Sequence, residues 1–333
     1  MSRAKSGCAF ELGCLRCALL LASFVAFAPI SVAQSYPLRP VRVVVPYPPG
    51  GTVDVVARVL AQGLGEQLGH NFVVDNRSGA NGTLGSHLVA RATPDGYTLL
   101  VQASIFVINP LFLKNVPYQV EKDFTPIVNL GSVPLIVMAH PGVAAGSLKE
   151  FLAAAKAAPG KYNFATSSLG SAGHLSVEVI KRDAGLGGML IVPYKGSGPA
   201  LIDLMGGQVH VMADPMPSAF PLVKSGKVKA LAVTSARRIA FMPDTPTVAE
   251  SGVAGFDMVS WYGIWGPVGL APDVVEKLSA ESAKAVRSPL ASERLSLQGF
   301  IASGDGTQAF GNYIRAEIQR YARIVKEANI RVE

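Results

Sequence analysis

Short runs of β-branched residues alternate along this chain with stretches of helical periodicity, and the alternation starts twice. It begins at residues 41–45 (Val-Arg-Val-Val-Val) and, after Gly51, enters a stretch in which Val55, Val56, Val59, Leu60, Leu64 and Leu68 recur at helical spacing. A strand over 72–74, a helix over 83–92 and a strand over 97–101 continue the rhythm of a mostly parallel sheet with helices on its faces. The second start lies at 135–139 and leads into a helix whose Ser147 and Glu150 have capping-box spacing. Strands over 163–165, 190–192, 209–213 and 228–234 then alternate with helices over 171–183, 199–205 and 219–225. The tail adds an aromatic strand over 260–267, a helix opening at Pro272, and an amphipathic helix carrying Phe310, Ile314, Ile318, Tyr321 and Val325. Those last helices need a sheet to cover. The simplest arrangement is a two-domain α/β chain: residues 34–133 with 236–333 form a discontinuous first domain and 134–235 a second, joined by two crossing strands. A ligand then lies between them, where strand carboxyl ends and helix N-termini face the cleft.

The segment ahead of this pattern reads as an export signal. Arg3, Lys5 and Arg16 precede an apolar run over 18–30, and Ser31-Val32-Ala33 fits small-residue cleavage after Ala33. The run is shorter than the roughly 20 residues of a membrane span. Cys8, Cys14 and Cys17 all fall within the part removed. The exported chain is therefore expected to have no disulfide, no thiolate metal site, no cysteine nucleophile and no lipid-bearing cysteine. Cleavage removes three basic residues and one acidic one, leaving a net charge of +5 from the formal +7. That excess is dispersed, without the basic run or interleaved aromatics of a nucleic-acid groove, so no nucleic-acid partner is expected. A mild positive field still helps capture small anions.

Two loops carry the strongest local signal. Tyr47-Pro48-Pro49-Gly50-Gly51-Thr52-Val53-Asp54 joins the first strand to the first helix. Its prolines stiffen the loop, and its glycines let backbone N–H groups approach a ligand. The helix N-terminus behind it suits a carboxylate, although an ordinary turn with Asp54 as a favourable first-turn charge explains this loop equally well. Ser167-Ser168-Leu169-Gly170-Ser171-Ala172-Gly173-His174 holds the matching position in the second half. Two such loops facing each other would clamp one anion. Asp214, ending a strand, is either a further candidate for the cleft wall or a turn former before Pro215.

Other motifs carry less. Gly79, Gly82 and Gly85 have G-x-x-G-x-x-G spacing, not a dinucleotide fingerprint, and read as close backbone packing. His174 and Glu178 are one helical turn apart without a third metal ligand. Ser171 lacks a nucleophile elbow, since Leu169 stands at its first glycine position. No catalytic group, metal or cofactor is expected.

Taken together the segments resemble the Bug family, the periplasmic receptors of tripartite tricarboxylate transporters. The resemblance rests on Tyr47-Pro48-Pro49-Gly50-Gly51 with Asp54 and Arg58, Pro94-Asp95-Gly96-Tyr97-Thr98-Leu99-Leu100, Gly170-Ser171 with His174, Val192-Pro193-Tyr194-Lys195-Gly196, Pro246-Thr247-Val248-Ala249-Glu250 and Trp261-Tyr262-Gly263. It implies a type II-like Venus-flytrap fold, location in the periplasm, and closure on a small carboxylate. The ligand would be held by Tyr47, Pro48, Gly50, Gly51, Thr52, Asp54, Thr166, Ser167, Gly170, Ser171 and His174, with Ser104 and Asp214 in the cleft wall. Dicarboxylate, amino acid and aromatic acid remain open as ligands. The expected partners are that ligand and membrane transporter subunits, the receptor itself being a monomer. Met216-Pro217 after Asp214 departs from the usual family pattern. The alternatives are a sensor for a membrane signalling partner and a secreted hydrolase or transferase on the same scaffold.

Overall fold

The computed structural model describes residues 36–296 and 299–330. The export segment, its cleavage at Ala33 and the three cysteines lie outside the described residues. Residues 36–38 belong to a separate unit from the rest and contain a cis Tyr36–Pro37 bond. The second unit begins at Arg39 and carries every strand and helix among the described residues.

The chain opens with β1 (Val41–Val45), α1 (Thr52–Leu68) and β2 (Phe72–Asn76), then a 3₁₀ turn over Ala80–Gly82 that leads into α2 (Thr83–Ala90). Next come β3 (Thr98–Ala103), α3 (Ile105–Phe112), the short α4 (Val120–Asp123) and the long β4 (Phe124–Ala139). The second series is α5 (Leu148–Ala157), β5 (Asn163–Thr166), α6 (Ala172–Asp183), β6 (Leu190–Pro193), α7 (Ser197–Met205), β7 (Val211–Pro215), α8 (Met216–Lys224) and β8 (Lys229–Val233). The tail contributes β9 (Val259–Pro267), α9 (Pro272–Val286), α10 (Pro289–Leu295), β10 (Ile301–Gly306) and α11 (Thr307–Glu327).

Strand pairing falls into two groups that share β4. In the first, β1 lies parallel between β2 and β3, and β3 runs antiparallel to β9. β9 pairs antiparallel with β4 from Phe124 to Pro134, and β10 takes the other edge of the same stretch. In the second, Leu135 to Ala139 of β4 pair antiparallel with β7 on one side, and Ile136 to Ala139 with β8 on the other. β5 then lies parallel to both β7 and β6. The chain thus passes between groups along β4 and again between β8 and β9. Two register shifts bend β4 near Pro126 and Gly131, as bulges do. Gly131 has φ 143°, and an added Cβ would lie 2.3 Å from the Ile301 carbonyl, so only glycine admits β10 so closely.

The helices form where the apolar stripe predicts them. In α1, Val56, Val59, Leu60 and Leu64 are buried, and Gly69 at φ 69° ends the helix with its N–H on the Gly65 carbonyl. α5 starts on the Ser147 cap, whose hydroxyl accepts the Glu150 N–H, while Glu150 turns back to accept the Gly146 N–H. α3 differs: Ile105, Phe106, Val107, Ile108, Asn109 and Phe112 are all buried, which leaves almost no polar face. It packs against the aromatic core around β9, where Phe106 meets Tyr118, Phe124 and Trp265 at centroid distances of 4.9 Å each. Each such side chain contributes about 1.5–3 kcal/mol by burial.

Candidate functional site

At the carboxyl end of β1 the chain turns through Pro46 into the first loop. Pro48, Pro49, Gly50 and Gly51 form its exposed tip. The Tyr47 ring turns inward, so that its hydroxyl lies beside Gln102 Nε2 and both face Gly82, where an added Cβ would stand 2.7 Å and 3.0 Å from them. Burial pushes the proton affinity of that hydroxyl far up, so Tyr47 remains a phenol. Gly50 has φ 86°, a left-handed conformation that favours glycine, whereas Gly51 is extended, with the Pro48 carbonyl 4.0 Å from an added Cβ.

Asp54 holds this loop in shape. Its Oδ2 accepts the Gly50 N–H and Arg58 Nε, each at 2.9 Å, and its Oδ1 accepts Asn76 Nδ2 at 2.9 Å. Asn76 Nδ2 also reaches the Tyr47 carbonyl at 3.0 Å. Burial raises the proton affinity of Asp54, but the bonds from Arg58, Gly50 and Asn76 outweigh it and hold the carboxyl below its usual range. The geometry therefore gives Asp54 a bracing position behind the loop, with Arg58 engaged by it.

The second loop, between β5 and α6, is braced by its own hydroxyls and imidazole. The Thr166 hydroxyl donates to the Ser168 carbonyl at 3.1 Å and lies 3.2 Å from the Ser171 hydroxyl. Ser171 caps α6 by accepting the His174 N–H at 3.1 Å. His174 Nδ1 accepts the Gly170 N–H at 3.1 Å, which puts the ring proton on Nε2, 3.7 Å from Glu178 Oε1. Burial, with Lys181 nearby, pushes the imidazole down to about 4, so it is neutral near pH 7. Gly170 has φ 74°. An added Cβ at Gly173 would lie 2.3 Å from the Ala213 carbonyl, so glycine there lets the start of α6 press against β7. With the His174 N–H taken by Ser171, the N–H groups of Ala172 and Gly173 are those that face out of the N-terminus of α6.

Asp214 sits at the carboxyl end of β7, fully buried. Its Oδ1 accepts the Ser197 hydroxyl at 2.8 Å, and its Oδ2 accepts the Ser218 hydroxyl. Burial raises its pKa to about 6 against the opposing bonds from Ser218, Ser197 and Ser167. Ser167 thus brings the second loop to Asp214. Across from it, the buried Tyr262 of β9 lies beside the hydroxyls of Ser260 and Thr52 and feels the Asp214 charge. Thr52 of the first loop therefore stands beside Tyr262, and Ser167 of the second beside Asp214. Ser104, buried at the end of β3, donates its N–H to the Trp261 carbonyl at 2.8 Å, next to Tyr262.

Several participants do not stand out in the sequence. Tyr262 lies within a motif but gives no sign of being a junction, because β9 is buried on both faces and shows no alternation. Ser197, Ser218 and Asn76 act through partners brought to them by the fold. A separate depression of about 690 Å³ lies between α9 and the junction of β10 and α11, lined by Leu270, Glu276, Ser279, Gly306 and Thr307, and includes none of these residues.

Two strand groups sharing one long strand, with a glycine- or serine-rich loop leading into a helix in each, define a two-lobed periplasmic binding protein. Residues 56–330 match the model of the tripartite tricarboxylate transporter family receptor. The chain belongs to this family, whose members are periplasmic solute-binding receptors working with membrane transporter subunits. It is 38% identical to Protein BugT of Bordetella pertussis over 311 residues, 92% of this chain and 94% of that protein. Among solved structures it is similar to R. palustris Rpa4515 with adipate, at 35% identity and a TM-score of 0.86 over 90% of this chain and all of that one. It is also similar to MatC (Rpa3494) from Rhodopseudomonas palustris with bound malate, at 32% identity and a TM-score of 0.80 over 87% of this chain and all of that one. Among the described residues, no helix is long and apolar enough to cross a membrane.

Proposed function

We propose that the chain captures a small dicarboxylate between the loops over 47–54 and 166–174 and presents it, chemically unchanged, to the membrane subunits of a tripartite tricarboxylate-type transporter. The observation that carries this reading is that both loops stand at the N-terminal ends of helices, α1 and α6, and that the second loop is bonded to the first half of the chain through the Leu169 carbonyl and Asn81. Arg58, the arginine beside the first loop, is engaged by Asp54 and Asn76. The ligand charge is then balanced by backbone N–H groups, hydroxyls and two helix N-termini, each terminus worth about 0.3–1 kcal/mol. Dicarboxylates come first among the ligand classes because two similar receptors were solved with adipate and with malate. Amino acids and aromatic acids come second.

The same reading makes residues 134–235 the second lobe and the remainder of the exported chain the first. The receptor is monomeric and is released after Ala33. Ligand favours the closed arrangement because contacts to both loops exist together only there.

The test is the melting temperature of the exported protein against adipate, malate, succinate, aromatic acids, amino acids and neutral controls, with the compounds recovered and identified afterwards. A ligand at a hundred times its dissociation constant adds about 2.7 kcal/mol. Selective stabilisation by one dicarboxylate, recovered unchanged, is the expected result. No shift with any carboxylate would sink the ligand class, and recovery of a converted product would make the protein an enzyme.

A further inference from the structure

Between β2 and α2 the backbone is left-handed at three successive residues: Ala80 (φ 45°), Asn81 (φ 57°) and Gly82 (φ 83°). Such a conformation is costly for alanine and best tolerated by asparagine and glycine. The turn aims the Asn81 side chain across the molecule. Its Nδ2 donates to Asn109 Oδ1 at 2.8 Å and to the Leu169 carbonyl at 3.1 Å, while Asn109 Nδ2 donates back to the Asn81 carbonyl at 3.0 Å. Asn109, fully buried on α3, thereby fixes the direction of the Asn81 amide. Leu169 belongs to the second loop, 88 residues further along the chain. The same loop also meets α3 through apolar contact. A Cβ on Gly170 would lie 3.4 Å from Phe112 and 3.5 Å from Ile108, and Phe112 stands edge-on to His174 at 5.6 Å.

We propose that Asn81 is an interlobe latch, a positioning residue that holds the loop over 166–174 against the first lobe through the Leu169 carbonyl and stabilises the closed arrangement before any ligand arrives. The proposal rests on the reading of the chain as a closing two-lobed receptor, but not on which ligand it takes. The ligand then completes a closure already partly favoured, which lowers the population cost of binding.

Two substitutions separate the latch from the turn. Asn81→Gly accepts the left-handed backbone and removes the amide. Asn81→Asp is of the same shape and tolerates the same backbone, but sets a carboxylate oxygen against the Leu169 carbonyl and Asn109 Oδ1. Residues after 33 include no cysteine, so Glu66→Cys and Lys227→Cys, on α1 and just before β8, provide spin-label sites in the exported protein. The distance distribution is recorded without ligand by double electron–electron resonance.

The expected result is a closed-distance population that falls about fivefold relative to the open one in Asn81→Gly, as for loss of one neutral hydrogen bond, and further in Asn81→Asp. Melting of the Asn81→Gly protein should fall modestly, since the buried Asn109 Oδ1 loses a donor, so the distance distribution and not stability reads the latch. Coincident distance distributions in all three proteins would overturn the latch and leave Asn81 as a turn former. Because no ligand is present, failure of the dicarboxylate reading leaves this measurement unaffected. Conversely, stabilisation of all three proteins by adipate would uphold that reading even if the latch falls.

Discussion

Two buried aspartates show how far the same side chain is decided by what reaches it. Asp54 receives a backbone N–H, a guanidinium and an amide, and remains ionised. Asp214 receives serine hydroxyls only among its named hydrogen-bond partners, and burial dominates. An acid with a raised folded pKa binds its proton more tightly folded than unfolded. Folding therefore keeps the full benefit below the unfolded value of 3.8 and loses it progressively as pH rises through about 6. At about 1.36 kcal/mol per unit the loss approaches about 3 kcal/mol by neutral pH. Asp214→Asn has no such titration, so its melting temperature should gain on the parent's between pH 4 and pH 7. A difference that is flat across that range would contradict the assignment. His174 works in the other direction: its depressed folded pKa makes stability rise with pH between about 4 and its ordinary 6.5, in parent and variant alike.

The two loops make separate predictions for binding. A side chain at Gly51 has free space and an ordinary backbone, so Gly51→Val should fold normally and obstruct the loop's approach to ligand, weakening affinity by about tenfold or more. Ser171→Ala removes the α6 cap at about 1 kcal/mol of stability, and affinity should fall about fivefold. Titration calorimetry beside thermal melts separates the two effects, and unchanged affinity in both variants would remove these loops from the site. Sequence places these residues on loops because glycine, proline and serine mark turns chemically. It does not show that His174 faces its own loop, since the direction of a ring nitrogen depends on the Gly170 N–H that meets it.

At the scale of elements, most strands are legible because they are short apolar, often β-branched runs bounded by turn residues, and the amphipathic helices because one face of each is wet and the other dry. α1 and α11 announce themselves this way. α3 does not, since nearly every side is buried and periodicity vanishes. β4 is legible only from 135 onward, because Pro126, Gly131 and Pro134 break its pattern in the first half, where bulges absorb them. The glycine triplet reads as packing, which holds for Gly82 against Tyr47 and Gly85 against Pro46. The aim of Asn81, between Gly79 and Gly82, depends on a carbonyl from the other half of the chain.

Close approach also predicts which glycines matter. Gly173→Ala would force α6 away from the Ala213 carbonyl and should cost about 1–3 kcal/mol in chemical denaturation. Gly198→Ala, with nothing within 4 Å of the new methyl, should be neutral or slightly stabilising. Equal effects from the two would mean that the contact between α6 and β7 is looser than these distances require.

The molecule as a whole depends on β4. Its first half is flanked by β9 and β10 and its second by β7 and β8, so one strand contributes backbone hydrogen bonds to both lobes. Opening either lobe by unfolding strips a flank from the strand that supports the other. Calorimetry of the ligand-free protein should accordingly show one cooperative transition, whereas two resolved transitions would mean that the lobes melt independently.

This spine also limits how such a gene can be remade. Fragments divided at 133 and 134 would each end in half a strand with bare edges, a template for mispairing. Exposed turns such as those at Gly160 and Gly226 tolerate an insertion, but the crossing does not. Recombination between relatives can exchange loops and whole receptors freely, and is expected to leave the two lobes inherited together.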